Sequence, residues 1–355
     1  VAKRMINFAT SMVGHWYGGL GLAGVLACAL FAAVSGSSPA TVVAIGSILL
    51  PAMVRAGFPN KFGAGIITTA GALGILIPPS IVMVMYSVAT NTSVGALFMA
   101  GVVPGLALAA TLGGVTWYRA RKFNYPRQPK ASVAERMKAF KESVWGLLLI
   151  VVVMGGIYTG MFTPTEAAAM SAMYAFFVAV FVYRDMPLKD VPKVLLNSAN
   201  MSAMLLYIIT NAVLFSFIMT NENIPQALAE WMLGNGLGMI AFLLAVNVLL
   251  LLAGNFMEPS SIVLIFAPIL FPVAMKLGID PVHFGIIMVV NMEVGMCHPP
   301  VGLNLYVASG ITKMGITELT VAVWPWLLSM LVFLGLVTYW PGLSLWFPRM
   351  LGMIS

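Results

Sequence analysis

The sequence predicts an all-α membrane protein that crosses the bilayer several times, and three observations support this class. Of the 355 residues, 61% are hydrophobic and 8% are charged, whereas a soluble domain carries about 25% charged residues. Several apolar runs are long enough to span a bilayer. The basic residues lie in short gaps between these runs, as the positive-inside rule predicts. Because they form no single patch, the net charge of +7 does not indicate a nucleic-acid surface.

Motif searches exclude several function classes. The sequence has no Gly-Lys dipeptide and hence no P-loop, and it has neither HExxH nor GxSxG. Both cysteines, Cys28 and Cys297, lie in apolar or interrupted stretches, so we expect no disulfide, no transition-metal site and no bound cofactor. The chain begins with Val and shows no signal peptide, and we expect that its true N-terminus is missing. The driving energy is predicted to come from an ion gradient or a partner.

Two basic clusters define the predicted membrane orientation. One runs from Arg119 to Lys141 and the other lies within 184–193. Between them, the apolar stretches 144–161 and 165–183 form a predicted hairpin that faces outward. Extending this orientation places 16 of the 18 Lys and Arg residues inside.

The first half predicts one helical hairpin and one broken helix. Residues 20–54 must enter and leave on the same side, with a tip at Ser35–Pro39. Each arm has about 15 residues and reaches only ~22 Å, against a hydrocarbon core of about 30 Å, so the hairpin is predicted to be re-entrant. Residues 62–90 form a helix interrupted near Gly74–Ser80, and 101–118 form a further span.

The second half predicts the same order of elements. Its predicted elements are a crossing helix, an outer amphipathic segment, a hairpin with its tip at Gly254–Pro259, a helix broken at Gly295–Gly302 and a last span, at 194–219, 220–235, 237–275, 283–312 and 322–340.

An internal repeat relates the two halves. Residues 35–97 overlay on 254–319 at an offset of 220–222, which pairs Gly74 with Gly295 and aligns the two Pro-Pro pairs. The orientation inverts one copy relative to the other. Inverted repeats with paired broken helices are typical of secondary transporters whose site lies at the midplane. We therefore predict a first repeat over 1–118, a cytoplasmic basic linker over 119–143 and a second repeat over 144–355. The hairpins and broken helices are predicted to form a transport domain, and the remaining helices a scaffold.

Hydroxyl groups concentrate at the first tip. Ser35, Ser37, Ser38 and Thr41 lie together there, and glycine lets the backbone approach an ion or substrate closely. The alternative is that Ser38, next to Pro39, caps the second arm of the hairpin.

The second half carries the ionisable groups. Glu258 lies at the tip beside Asn255, where it could bind an ion or cap the following helix. Glu293 could bind a cation, relay a proton or accept from freed amides. His298, directly before the Pro-Pro pair, could contact an anion, titrate or be structural. Asn304 is expected to support the unwound segment.

Four segments together resemble one family over essentially the whole chain. They are Ser35–Thr41, Gly74–Ser80, Thr163–Ala168 and Glu293–Asn304, the last containing Pro299-Pro300-Val301-Gly302-Leu303-Asn304. This combination is similar to the large membrane subunit of the tripartite ATP-independent periplasmic (TRAP) transporters.

The resemblance implies an elevator-type fold, Na⁺ coupling and carboxylate import in a bacterial inner membrane. Ions would bind at the tips and breaks, largely through backbone carbonyls, at Ser35, Gly36, Ser37, Gly71, Gly74, Ile77, Pro78, Gly254, Met257, Glu258, Glu293, Gly295 and His298. The predicted substrate contacts are Ser37, Ser38, Thr41, Asn255, His298 and Asn304. The implied partners are a small membrane subunit and a periplasmic substrate-binding protein.

The resemblance also favours one substrate class. The sequence Cys297-His298-Pro299-Pro300 is most similar to the C4-dicarboxylate members, and His298 leaves H⁺ coupling open. The alternatives are a subunit for sialic acid or another organic acid, and a channel or assembly subunit without its own transport cycle. A channel would need a continuous polar pore, whereas the polar groups concentrate at two tips and two breaks. An enzyme is not expected, since Glu293 with His298 is the only candidate acid–base pair.

Overall fold

The protein folds as a bundle of α-helices. The structure, a computed structural model, describes residues 1–236 and 238–354. Within them lie sixteen α-helices: α1 Ala2–Val13, α2 Gly19–Ser35, α3 Ser38–Arg55, α4 Asn60–Gly71, α5 Ile81–Thr90, α6 Val94–Lys122, α7 Val133–Tyr158, α8 Pro164–Phe177, α9 Val191–Asn221, α10 Ile224–Gly234, α11 Met239–Gly254, α12 Pro259–Lys276, α13 Pro281–Gly295, α14 Leu303–Thr312, α15 Ile316–Tyr339 and α16 Gly342–Met350.

The predicted class, an all-α polytopic membrane protein, is confirmed. Among the described residues, seven helical segments are long and apolar enough to cross a membrane: Ser38–Arg55, Val94–Lys122, Val133–Tyr158, Pro164–Val182, Leu188–Asn221, Pro259–Lys276 and Ile316–Tyr339. Helices α1 and α16 were not predicted. Helix α7 begins at Val133, inside the segment predicted as a linker.

Helices α2 and α3 form the first predicted hairpin. Gly36 ends α2 in the left-handed conformation, with φ +61°, and Ser37 precedes α3 in an extended one. The arms of the first hairpin are longer than the predicted length of about 15 residues. The arms have 17 and 18 residues here and 16 and 18 in α11 and α12, which gives roughly 24–27 Å each. Arm length alone therefore does not decide re-entry, which stays a prediction.

Both predicted helix breaks are present. A short 3₁₀ turn at Ala72–Ile75 follows α4, and an irregular segment then leads to α5. Ser80 begins α5 by accepting from the Met83 N–H at 3.4 Å, and it donates to the Ile75 carbonyl at 2.6 Å. In the second half, the irregular segment 296–302 separates α13 from α14. Proline lacks an N–H group, so the Pro-Pro pairs prevent a continuous helical ladder.

The hairpins and broken helices exchange partners between the two halves. Helix α3, the second arm of the first hairpin, packs against α14, which follows the second break. Helix α12, the second arm of the second hairpin, packs against α5, which follows the first break. The helices that precede the two breaks also pack against the opposite half, α4 against α15 and α13 against α6. This reciprocal pairing is what a two-fold internal repeat requires.

Glycines let each tip lie directly against a break. A Cβ added at Gly295 would lie 2.9 Å from the Gly254 Cα at the second tip. A Cβ added at Gly74 would lie 2.6 Å from the Ser37 carbonyl oxygen and 2.8 Å from the Ser38 Cα. Contacts this close leave no room for a methyl group. The two glycines that the repeat pairs therefore serve the same purpose.

We expect Gly295→Ala to destabilise the protein by about 1–3 kcal/mol, since the added methyl group overpacks a contact between two backbones. The matched control is Gly310→Ala in α14, where an added Cβ meets no atom within 4 Å and should stabilise the helix by about 0.5–1 kcal/mol. Thermal unfolding of the purified complex measures both. Equal melting temperatures for the two variants would contradict the proposed contact.

Candidate functional site

The hydroxyl groups of the first tip order the tip itself. The Thr41 Oγ1 donates to the Ser37 carbonyl at 2.8 Å and lies 3.0 Å from the Ser35 Oγ. Gly36 lies close to the first break, because a Cβ there would be 3.0 Å from the Pro79 carbonyl oxygen. The tip thus presents hydroxyl and carbonyl oxygens in a fixed arrangement.

Ser38 connects the first tip to both broken helices. It is the first residue of α3, after the N-cap Ser37, and among the described residues its hydroxyl accepts from no backbone N–H of that helix, so the capping role is not observed. Its hydroxyl is fully buried, donates to the Gly71 carbonyl at 3.0 Å and accepts from the Asn304 Nδ2 at 2.7 Å. Gly71 ends α4, and Asn304 lies in the first turn of α14. Ser38 therefore holds the two halves of the molecule together.

Asn304 supports the unwound second break, as predicted. Its backbone N–H donates to the Met296 carbonyl at 3.0 Å, across the break. Its side-chain amide also donates to the Thr68 carbonyl of α4 at 3.3 Å, and the Cys297 thiol donates to the same carbonyl at 3.4 Å. The side chain is fully buried. These bonds give Asn304 a positioning role, and its contact with substrate stays a prediction.

Asn255 and His298 form one unit at the second tip. With its amide nitrogen turned toward the break, Asn255 donates to the His298 carbonyl at 2.7 Å and to the Pro299 carbonyl at 3.1 Å. This orientation is the one that satisfies the hydrogen bonds. The same nitrogen lies 3.2 Å from the His298 Nδ1, and the Gly302 N–H donates to the Asn255 carbonyl at 3.2 Å. The second tip is therefore fastened to its own break.

Glu258 begins α12 as a helix cap. Its carboxylate accepts from the Ser261 N–H at 3.0 Å and from the Ser260 hydroxyl at 2.9 Å. The side chain is exposed. The capping alternative is therefore observed, and the predicted ion contact of Glu258 stays a prediction.

Glu293 is a fully buried carboxylate without a partner. Within the described part of the chain, neither of its oxygens accepts a hydrogen bond, and its exposure is 0%. The buried Asn291 Oδ1, two residues earlier on α13, also accepts no hydrogen bond from the described residues. A buried carboxylate is strongly unfavourable unless it binds a proton or a cation. Glu293 makes no hydrogen bond to His298, so the candidate acid–base pair is not formed.

The remaining predicted ion positions lie around these contacts. Ile77 and Pro78 lie in the first irregular segment, beside Gly74, and Gly254 ends α11 against Gly295. Met257 is half-buried in the second tip. The structure thus brings the predicted positions into two groups, one at each tip and break.

Comparison with known proteins identifies the family. A family model described as "Tripartite ATP-independent periplasmic transporter, DctM component" matches residues 1–343. The chain belongs to this family. It is therefore a membrane subunit of a TRAP transporter, and the predicted resemblance is confirmed.

The descriptions of relatives in this family name different substrates. The chain is 75% identical to the "C4-dicarboxylate TRAP transporter large permease protein DctM" of Rhodobacter capsulatus, over 99% of this chain and 83% of the relative. It is 58% identical to the protein of the same description from Pseudomonas aeruginosa, with the same coverage. It is 37% identical to the "Sialic acid TRAP transporter large permease protein SiaM" of Vibrio cholerae, over 99% of this chain and 82% of the relative.

The sequence did not indicate two polar features of this TRAP subunit. One is the role of the Thr68 carbonyl, which carries no sequence signal because it is backbone. The other is a buried ladder in which Asn291 donates to Asn247 at 2.8 Å and Asn247 donates to the Thr338 hydroxyl at 3.0 Å. The sequence signal that could have indicated this ladder is the presence of two Asn residues in otherwise apolar helices. The ladder joins α11 and α13 to α15, and the repeat places Ala70 at the position equivalent to Asn291.

A cavity of about 500 Å³ lies beside the first tip. Ser35 and Gly36 line one wall, and Leu149, Val153 and Thr165 of the α7–α8 hairpin line the opposite one. The volume is in the range that holds small molecules. The first tip therefore borders a cavity whose lining also includes the α7–α8 hairpin.

We expect the Ser38–Asn304 contact to couple the two halves by about 1 kcal/mol. The double-mutant cycle of Ser38→Ala and Asn304→Ala, measured as free energies of unfolding, should be non-additive by that amount. The control pairs Ser38→Ala with Asn211→Ala, because Asn211 is exposed and its side-chain amide donates within its own helix, to the Tyr207 carbonyl. Additive effects in the first cycle would show that the contact carries no coupling.

Proposed function

We propose that this TRAP subunit carries a C4-dicarboxylate across the bacterial inner membrane together with Na⁺, using both tips and both breaks as one site. The observation that carries the proposal is the pair of tip–break contacts, Gly254 with Gly295 and Ser37 with Gly74, at matching places of a repeated fold. Irregular backbone within a membrane bundle is tolerated where it lines a cavity or binds a ligand.

Two observations support a C4-dicarboxylate as the substrate. Relatives with 75% and 58% identity are described as C4-dicarboxylate permeases, whereas the sialic-acid relative shares 37%. The Asn255–His298 unit also places a ring that can donate to a carboxylate beside the second tip. The hydroxyl-rich first tip, with Ser37, Ser38 and Thr41, supplies neutral groups for the second carboxylate.

The donor chemistry of both groups fits a hard cation such as Na⁺. The first tip offers the hydroxyl oxygens of Ser35 and Thr41 and the carbonyl of Ser37, and it carries no ionisable group. The second half offers the unpartnered carboxylate of Glu293. Na⁺ would supply the charge that compensates Glu293 and the dianionic substrate, and H⁺ on Glu293 is the alternative compensation.

We further propose an elevator movement with re-entrant hairpins. The hairpins and broken helices, which pack on each other, would move as one body past α7, α8 and α9. Helix α9 is available for a partner, since only 6% of its apolar window is buried within the chain. The small membrane subunit would cover this surface. The periplasmic binding protein would dock at the outer end of the α7–α8 hairpin, near Thr165.

Reconstitution tests this proposal directly. The complex with its small membrane subunit is placed in liposomes, and succinate uptake is measured with the binding protein present under an inward Na⁺ gradient. We expect uptake that requires both the gradient and the binding protein. A sialic acid that competes as well as succinate would favour the alternative substrate. Uptake independent of both the gradient and the binding protein would favour a channel and contradict the proposal.

We expect Glu293→Gln to raise the Na⁺ concentration for half-maximal effect at least tenfold, because the buried charge that binds the cation is lost. The measurement is the Na⁺-dependent increase in melting temperature of the complex, which does not rely on transport. The matched control is Glu222→Gln, an exposed residue at the end of α9. An unchanged Na⁺ dependence in Glu293→Gln would remove Glu293 from the site. The same assay on Glu258→Gln decides the ion contact predicted for Glu258.

A further inference from the structure

We propose that residues 119–142, here called the basic connector, bind the head groups of anionic phospholipids at the cytoplasmic leaflet. The connector joins α6 to α7 and holds eight of the 18 basic residues and two of the 11 acidic residues. It therefore accounts for a charge of +6, and the rest of the chain for only +1. This inference rests on the membrane orientation of the proposed function, which places the connector inside.

Within residues 1–236 and 238–354, no cation of the connector forms an ion pair with a carboxylate. Among the described residues, the ion pairs involve Val1 and Arg4 with Asp185 and Lys61 with Glu318, all outside the connector. Six of its eight basic side chains are exposed: Arg121, Lys122, Arg127, Lys130, Lys138 and Lys141. The half-buried Arg136 has two N–H groups, Nε and Nη2, that find no acceptor within the described chain. The segment thus offers unused positive charge and unused hydrogen-bond donors.

The connector is held in place by the helices beneath it. Tyr125 packs its ring 4.6 Å from that of Phe62 and 5.8 Å from that of Phe58. The Arg127 guanidinium lies 4.2 Å from the centre of the Tyr17 ring, and the Gln128 N–H donates to the Gly14 carbonyl at 3.0 Å. The positive-inside rule requires only basic residues in a loop. Here the cations are presented from an ordered surface, as a binding site requires.

Glu135 is the acidic residue in the first turn of α7, and its carboxylate already accepts a hydrogen bond. The Glu135 carboxylate accepts from the Ser132 N–H at 2.7 Å, and the Ser132 hydroxyl accepts from the Glu135 N–H at 3.2 Å. This capping box begins α7. Glu135 therefore does not neutralise the lysines that follow it.

Exposed apolar side chains alternate with these cations along the first turns of α7. Val133 is 78% exposed, Met137 51% and Phe140 41%. At the end of α6, Trp117 and Tyr118 are also exposed. Aromatic residues and basic amphipathic helices are typical of the head-group layer of a bilayer. The apolar groups would enter the acyl boundary while the cations face the phosphates.

A groove on α7 combines both features. It has a volume of about 430 Å³ and is lined by Ala134, Met137, Lys138, Lys141 and Glu142. Ala134 and Met137 form its apolar floor, and Lys138 and Lys141, one turn apart, outnumber the one acid of the lining, Glu142. The groove is therefore positive beside an apolar floor, as a phosphate ester with its attached chain requires. An anionic lipid is the favoured occupant, because the connector lies between α6 and α7, two helices that can each span the membrane, so its cations and apolar side chains fall at the level of the lipid head groups.

Lipid binding can be measured on the unaltered complex. The complex is placed in nanodiscs of phosphatidylcholine alone or of phosphatidylcholine with phosphatidylglycerol, and the melting temperature and retained lipid are measured, the latter by native mass spectrometry. We expect phosphatidylglycerol to be retained and to raise the melting temperature, with the increase falling as salt screens the charges. Equal stability in both lipids, or an increase that free phosphate reproduces, would overturn the proposal. None of these results depends on transport.

Two matched variants locate the site. The first is Lys130→Gln, Arg136→Gln, Lys138→Gln and Lys141→Gln combined, which should weaken phosphatidylglycerol retention by roughly fivefold for each cation removed. The control combines Arg55→Gln, Arg184→Gln, Lys189→Gln and Lys193→Gln, which removes the same charge from other cytoplasmic segments and should leave retention unchanged. An equal loss of phosphatidylglycerol retention in both variants would overturn the proposal. Loss of the small membrane subunit from the first variant alone would also overturn it, because the connector would then contact a protein instead.

Discussion

A backbone that leaves its helix inside a membrane must still satisfy its polar groups, and the rest of this structure follows from that requirement. The chain breaks two helices, at 76–80 and 296–302. It satisfies the freed groups from the hairpin tips, with Ser38 on the carbonyl that ends α4 and Gly302 donating to Asn255. Because these tips must come within bonding distance of backbone, glycine is required where they meet the breaks. The site is thus a consequence of how the breaks are satisfied.

The second break contributes more than the first. It fastens the second tip through Asn255 and His298, and it fastens the first tip through Asn304 and Ser38. The second half also carries Glu293, whose carboxylate has no hydrogen-bond partner within the described residues, and the Asn247–Asn291 pair. The repeat places Ala70 at the position equivalent to Asn291. The two halves therefore share an architecture but differ in chemistry: the first tip is neutral and rich in hydroxyl groups, and the second half carries the ionisable groups.

Sequence reasoning succeeded where local chemistry decides structure. Pro-Pro pairs, glycine at the tips and apolar periodicity located both hairpins and both breaks, and the charge clusters located the gaps. It failed where tertiary packing decides. Helix α1 was missed because its twelve residues are too short for a spanning run, and it is held by packing and by the Arg4–Asp185 ion pair at 2.6 Å. The bond from Asn304 to Ser38 joins residues 266 positions apart, and no local pattern encodes it.

Hydrogen exchange in Asn304→Ala tests most directly whether the second break holds the first tip. The amides of 35–41 and of 254–260 are followed in the unaltered complex and in the variant. We expect faster exchange at 35–41 in the variant, because loss of the Asn304 side chain releases Ser38. This segment is more than 260 residues away from Asn304 in sequence, so the effect would demonstrate the link between the second break and the first tip. Exchange that rises only around 296–304 and leaves the first tip unchanged would contradict it.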